Sequence, residues 1–233
     1  MNLKLEDKGA LFIDFEGLDC SFKETNSKLL KLFLGDSAKR YEFPCYNADS
    51  SYFVKQYLSG MYEPKEMNYH AIYGYLLDMF HQYETVIKQD IKNGIKYVIF
   101  DRFWYSNIFY QAKTEEQINE IIDIATNKLG LPKCHIIIKM IPEKQVMIDY
   151  VMKKKNKDMH ETNIIYLSEV YDRFVSTSFG IWTKHVYTSN NGVVKPKFEI
   201  FKDILENLKF ANIVKESDVN AFCNKTTPFA ERF

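Results

Sequence analysis

Apolar residues in this chain fall into short continuous runs separated by longer stretches with helical spacing. Residues 10–15, ALFIDF, form a compact run of β-prone residues and predict a buried strand. Over residues 21–34 the apolar positions Leu29, Leu30, Phe33 and Leu34 recur at helical spacing and predict a helix. Between the two lies EGLDCSFKET, a turn that holds Gly17 and Lys23. Strand, glycine-containing turn and helix make the opening of a nucleotide-binding α/β unit.

The alternation continues. A second strand is predicted through Tyr41 and Phe43, stopped by Pro44, then a helix over 49–58 and a loop over 60–64. A long helix over 71–91 carries Leu76, Leu77, Phe80, Tyr83 and Ile87 and ends at Asn93-Gly94, residues that tolerate a left-handed backbone. YVIF at 97–100 predicts the next buried strand, with Asp101 at its carboxyl end, the edge where open α/β sheets bind ligands. Then follow a helix over 115–129 capped near Gly130, a strand over 135–139 and a helix from Pro142 to about Lys153. A lysine-rich patch at 153–157, a helix over 161–174, a strand over 184–188 and a helix over 199–208 come next. Residues 210–233 resist assignment and read as a C-terminal extension to a domain spanning 1–209. One doubly wound domain, with a central parallel sheet of about five strands and helices on both faces, is the economical architecture.

Composition narrows the function. With 233 residues, 46% hydrophobic and 27% charged, the chain fills a sizeable core. Lys plus Arg and Asp plus Glu each total 31, so the basic excess of a nucleic-acid-backbone binder is missing and no nucleic-acid partner is expected. No apolar run reaches the roughly 20 residues that span a bilayer. Charges at Lys4, Glu6, Asp7 and Lys8 are unlike a signal peptide, so a cytoplasmic protein without membrane contact is expected. Cys20, Cys45, Cys134 and Cys223 are widely spaced and read as free thiols in a reducing compartment. His70 and His81 lack zinc-ligand spacing, and His135 and His160 belong to no motif. The 16 Tyr, 18 Phe and 2 Trp suffice for a core and for a self-association face.

A phosphate-binding loop reads GxxxxGK[ST]: glycines let backbone N–H groups close around phosphates, the lysine reaches the β and γ phosphates, and the hydroxyl holds magnesium. Gly17 and Lys23 have that separation, but the second glycine position is Phe22 and the hydroxyl position is Glu24, followed by Thr25. Spacing alone is a common coincidence; the flanking strand and helix supply the context the motif needs.

Together with further segments, the loop resembles the thymidylate kinase family. FEGLDCSFKET stands where the family has FEGLDGSGKST, so Phe15, Glu16, Gly17, Leu18, Asp19, Ser21, Lys23 and Thr25 match while Cys20, Phe22 and Glu24 depart. DRFWYSNIFYQ matches the family's DR segment at Asp101, Arg102, Ser106, Tyr110 and Gln111. EFPCYNADSSYFVKQYLSG looks like its phenylalanine-proline segment, and LLDMFHQYE its substrate-side helix. The likeness covers most of residues 9–190. It implies a P-loop fold and transfer of the ATP γ-phosphoryl group to dTMP, giving dTDP, with Mg2+ as cofactor and a homodimer formed through helices.

The same resemblance implies roles. Lys23, Asp101 and Arg102 would be catalytic: Lys23 on the transferred phosphate, Asp101 on magnesium or its waters, Arg102 clamping the acceptor phosphate, to which a guanidinium fork is suited. ATP would lie on Gly17, Leu18, Cys20, Ser21, Phe22, Lys23, Glu24 and Thr25 and on a lid around 153–161 with Lys153, Lys154, Lys155 and Lys157 in place of arginines. Acceptor contacts would come from Asp19 to the sugar hydroxyl, and from Phe43, Gln82, Arg102, Ser106, Tyr110 and Gln111, with His81 beside Gln82 as a further polar contact. Glu24 would join Asp101 as a metal ligand. Phe22 brings a ring and a β-carbon to a position that favours glycine. Glu24 brings negative charge near the triphosphate, and Cys45 and Tyr46 leave no arginine after Pro44. Two functions follow as alternatives: a working dTMP kinase, or a catalytically impaired relative that binds nucleotide as a regulator.

Overall fold

The computed structural model describes residues 9–63, 68–155, 157, 160–180 and 183–224. The apolar runs become parallel strands: β1 (Leu11–Glu16), β2 (Ala38–Glu42), β3 (Tyr97–Asp101), β4 (Ile136–Ile141) and β5 (Thr183–Tyr187). They form one five-stranded sheet in the order β2-β3-β1-β4-β5. Register brings Phe15 opposite Asp101 and Asp101 opposite Glu42, so three carboxyl ends lie level at one edge.

The period of two along β1 assigns the faces. Leu11, Ile13 and Phe15 pack with α1 (Lys23–Leu34), α9 (Lys197–Phe210) and α10 (Glu216–Cys223). Phe12 enters the opposite core with α3 (Tyr69–Gln82), α5 (Tyr105–Gln111), α6 (Glu115–Asp123), α7 (Lys144–Lys153) and α8 (Ile164–Ser176). The short helices α2 (Tyr52–Leu58) and α4 (Lys88–Lys92) and a hairpin of β6 (Ser189–Asn190) and β7 (Val193–Val194) complete the described elements.

Several boundaries move for physical reasons. The helix expected over 71–91 is α3 running through a π turn, Tyr83–Ile87, into α4. α7 starts at Lys144, not Pro142, because the Glu143 carboxylate instead accepts the N–H groups of Asn191 and Gly192 at the hairpin turn (3.0 and 2.7 Å). α8 starts at Ile164 on Asn163, whose side chain accepts the Tyr166 N–H. α5 was not expected: seven residues give too few turns for a periodic signal, yet five of them are buried. Within the C-terminal stretch, α10 buries Val219 and Phe222, with Phe222 stacked on Phe198 (4.8 Å, 17°); residues 225–233 lie outside the described residues. All four cysteines are free thiols. No helix among the described residues is long and apolar enough to cross a membrane.

Three charged residues break the core face of β1 and β4. Asp14 and Glu16 take the positions that follow Phe12, and Lys139 lies opposite Glu16 on β4; all three are fully buried. Glu16 accepts the Phe103 N–H (3.1 Å) and the Ser106 hydroxyl (2.6 Å). Lys139 donates to the carbonyls of Thr177 and Val175 (2.7 and 3.3 Å), and burial pushes its pKa down to about 8, partly offset by Glu16. Both Asp14 oxygens are buried with no partner but the neighbouring Glu16 carboxyl, and burial, then repulsion from Glu16, raises its pKa well above the usual carboxylate range. The folded state therefore holds the Asp14 proton more tightly than the unfolded chain does. That relative stability is complete below the unfolded carboxyl pKa near 4 and is lost as pH rises through the raised folded value. Asp14→Val is accordingly expected to stabilise the protein at neutral pH by about 2 kcal/mol, the scale of an unmet buried polar group, or roughly 4–8 °C in Tm. Thermal melts from pH 4 to pH 8 check this: the gap between variant and parent should widen with pH, and a variant that melts lower at pH 7 would refute it.

Candidate active site

The turn after β1 packs tightly enough to require its glycine. A β-carbon on Gly17 would stand 2.3 Å from Ser21 Oγ, 2.9 Å from Ser21 Cβ and 3.0 Å from the Met140 carbonyl. Beyond it, Cys20 (φ 65°) and Phe22 (φ 67°, ψ 15°) both take left-handed backbone, Phe22 as the N-cap of α1. Left-handed residues alternating along a turn are the setting of an anion nest; here the Ser21 N–H is taken by the Leu18 carbonyl (3.2 Å), and no side chain caps the first turn of α1. The Phe22 ring lies edge-on to Tyr150 of α7 (5.9 Å, 81°). That contact offsets the cost, about 1–2 kcal/mol, of a left-handed residue with a β-carbon.

Charges gather above the turn. Asp19 accepts from Arg102 Nη2 (2.6 Å), Lys154 Nζ (3.3 Å) and Lys23 Nζ (3.5 Å). Burial alone would raise its pKa, but Lys23, Arg102 and Lys154 together hold it well below the usual range. Lys154 also donates to the buried Glu161 (2.6 Å), fastening the segment after α7 across the turn. Burial and the nearby Arg102 push the Lys23 amine down, with Asp19 opposing. Arg102 has left-handed backbone (φ 65°), donates its N–H to the Phe15 carbonyl (3.1 Å) and lies over the Tyr110 ring (5.5 Å).

A cavity opens beside this cluster. Its walls include Asp19, Arg102 and Ser106, then Phe43, Pro44 and Tyr46, then Tyr75 and Met79 of α3, Tyr110 of α5, and His160 and Glu161. Asn107 and Gln111 also line it, and their amide nitrogens, buried from solvent, have no hydrogen-bond partner. A side-chain rotation would turn such donors to the carbonyl oxygens of a ligand.

The family model for thymidylate kinase matches residues 15–217. The chain belongs to the thymidylate kinase family. Solved thymidylate kinases share its fold: one from Candida albicans at TM-score 0.68 and 19% identity, covering 88% of this chain and 93% of that one, and one from Ehrlichia chaffeensis at TM-score 0.62 and 17% identity, covering 86% and 99%. No curated protein sequence matches it significantly. Family and fold together support a nucleoside monophosphate kinase.

The expected residues divide accordingly. Gly17, Leu18, Asp19, Cys20, Ser21, Phe22 and Lys23 form the turn, and Arg102, Phe43, Ser106, Tyr110 and Gln111 reach the cavity. Burial and then Asp19 raise the pKa of the Cys20 thiol. Thr25 is exposed on α1. Of the lid lysines only Lys154 contacts the cluster; Lys153 and Lys155 are exposed and Lys157 bonds the Met152 carbonyl (3.1 Å). Asn156, Asp158 and Met159 lie outside the described residues. Gln82 does not line the cavity: it sits one turn past Met79, behind Phe43, Pro44 and Tyr46, with its amide toward Ser50 (3.5 Å). His81 is exposed.

Four contributors escaped the sequence reading. Asn107 lies in the unforeseen α5. His160 stacks on Tyr166 (5.2 Å, 22°) and faces Tyr110 (5.4 Å) in the cavity wall. Asp78, buried in α3, accepts the Cys45 N–H (2.7 Å) and the Ser50 hydroxyl (2.5 Å) and so fixes the loop after Pro44. Arg40, on the face of β2 toward α1, pairs with Asp101; strand alternation from the buried Ala38 was the one signal that could have found it.

Members of the family use ATP and Mg2+. The anion nest and Lys23 fit a triphosphate. The oxygen donors do not fit the metal: Asp101 Oδ2 is taken by Arg40 and Ser27, Glu24 is exposed and bonded to Lys28 (2.5 Å), and it is Glu24, not a hydroxyl, that directly follows Lys23. The expected Glu24–Asp101 metal pair is thus not assembled. Among the described residues, no group of three or more His, Cys, Asp or Glu could hold a metal ion.

Proposed function

We propose that this chain transfers the γ-phosphoryl group of ATP to a pyrimidine nucleoside monophosphate, dTMP before others, giving the diphosphate. The observation that carries this reading is Phe22: it keeps the left-handed backbone of a glycine while its ring lies edge-on to Tyr150. The nest and Lys23 would hold the donor phosphates, where fixed positive charge meets the charge that spreads over the transferred group. Arg102, backed by the Tyr110 ring, would clamp the acceptor phosphate, and Asp19 would take the sugar hydroxyl. The amides of Asn107 and Gln111 would donate to the base carbonyls, and His160 and Glu161 would help exclude water. The exposed stripe Tyr69, Tyr73 and Leu77 on α3, beside exposed Tyr52 and Phe53, supports self-association through that face.

A second reading, nucleotide binding with little turnover, is favoured by the engagement of Asp101 and Glu24 with other cations. An ADP-release assay with ATP and a panel of nucleoside monophosphates separates the two. Acceptor-dependent ADP release, greatest with dTMP, is expected. Calorimetric binding of dTMP with no turnover for any acceptor would establish the second reading instead.

A further inference from the structure

Arg40 belongs to none of the motifs, yet it is the most fully engaged cation of the sheet edge. Ala38 and Arg40 share the face of β2 turned to α1: Ala38 is in the core, and Arg40 follows where the strand reaches the carboxyl edge. Its side chain is 13% exposed. Nε donates to Ser27 Oγ of α1 (2.8 Å), Nη1 to Glu42 Oε2 of β2 (3.0 Å), and Nη2 to Asp101 Oδ2 of β3. Three oxygens from three elements therefore converge on one guanidinium. Two carboxylates and a hydroxyl form the oxygen set that a hard divalent cation takes. A guanidinium serves the same acceptors with fixed, planar donors and a single charge that does not titrate. Register places Glu42 directly opposite Asp101, so this gathering is built into the pairing of β2 with β3.

We infer that Arg40 is a built-in cation, occupying the place a divalent metal would take among Asp101, Glu42 and Ser27 and holding Asp101 as a positioning residue beside the phosphate loop. This rests on the phosphoryl-transfer reading only in the role it gives Asp101. Two consequences follow. Removal of the guanidinium leaves an oxygen cluster able to bind a divalent ion. In the unaltered protein, triphosphate binding draws little on a metal held by Asp101.

The test measures Mn2+ binding to the ligand-free full chain, by loss of the free-ion paramagnetic resonance signal, for the parent, Arg40→Gln and the double variant Arg40→Gln/Asp101→Asn. Arg40→Gln should gain one site at least ten times tighter than anything in the parent, and the double variant should lose it. A folded Arg40→Gln with no gained site overturns the assignment. If Arg40→Gln does not fold, calorimetry on the parent decides: ATP affinity with Mg2+ and with EDTA should agree within threefold, and a tenfold or greater dependence overturns the assignment. Absence of ATP binding under both conditions would count against the proposed activity, and Mn2+ binding to a second variant, Arg40→Met, read in the same way, would then decide the role of Arg40.

Discussion

Lys23→Ala is expected to lower acceptor-dependent turnover by about 10²- to 10³-fold, a loss of roughly 3–4 kcal/mol of transition-state stabilisation. Lys23 is the first residue of α1, its side chain is 12% exposed, and its amine lies 3.5 Å from Asp19 beside the nest. No neighbour can take its place. Arg102 is bound to Asp19 and covered by Tyr110, and Lys154 is stretched between Asp19 and Glu161. Those same contacts protect the fold: without Lys23, Asp19 keeps two cationic partners and no carboxylate is stranded. The melting temperature should therefore stay within about 3 °C of the parent, since a change of 1 kcal/mol moves Tm by roughly that much in a chain of this size. Steady-state kinetics beside a melt check both halves. A turnover loss under tenfold would remove Lys23 from the chemistry and the phosphate-loop argument with it.

Much of this architecture was legible because parallel strands are buried on both faces and read as continuous apolar runs. ALFIDF, YVIF and HIIIK each locate a strand to within a residue or two. β2 was placed too late because AKRYE, at the sheet edge, carries Lys39 and Arg40 opposite Val98 and Ile99 of the inner β3. α5 and α10, seven and eight residues long, are too short for a helical period to stand out, and tertiary packing decides them. In the site, the family resemblance pointed to the loop and the Asp101–Arg102 pair because those motifs are local in the chain. Pairings across the fold left no such trace. Arg40 with Asp101 and Lys154 with Asp19 span 61 and 135 positions. The charge run at 153–157 was visible, but not that Lys154 alone among its lysines turns inward. Phe22 shows the converse: residue type argued against a left-handed backbone, and Tyr150, 128 positions on, supplies a contact that compensates it.

Gly17→Ala tests whether that compensated loop has any slack. The added carbon would meet Ser21 Cβ at 2.9 Å and the Met140 carbonyl at 3.0 Å, besides Ser21 Oγ at 2.3 Å. Rotation of the serine hydroxyl relieves only the last of these. Ser21 is fully buried and Met140 belongs to β4, so the turn must move off the sheet. Overpacking of this kind costs about 1–3 kcal/mol, which at roughly 2–4 °C per kcal/mol predicts a Tm lower by about 2–12 °C. The displacement also moves the phosphate turn and the start of α1, so ATP affinity should fall at least about tenfold, the equivalent of 1.4 kcal/mol. A second change, Ser21→Gly, separates the two effects. It removes both serine contacts and leaves only the carbonyl at 3.0 Å, so the double variant should regain about half the lost stability. Its extra backbone freedom should leave ATP binding weak. Melts of the two variants with a calorimetric ATP titration give the answer. If Gly17→Ala melts with the parent, the turn has room to spare, and the tight closure on which the phosphate nest depends is wrong.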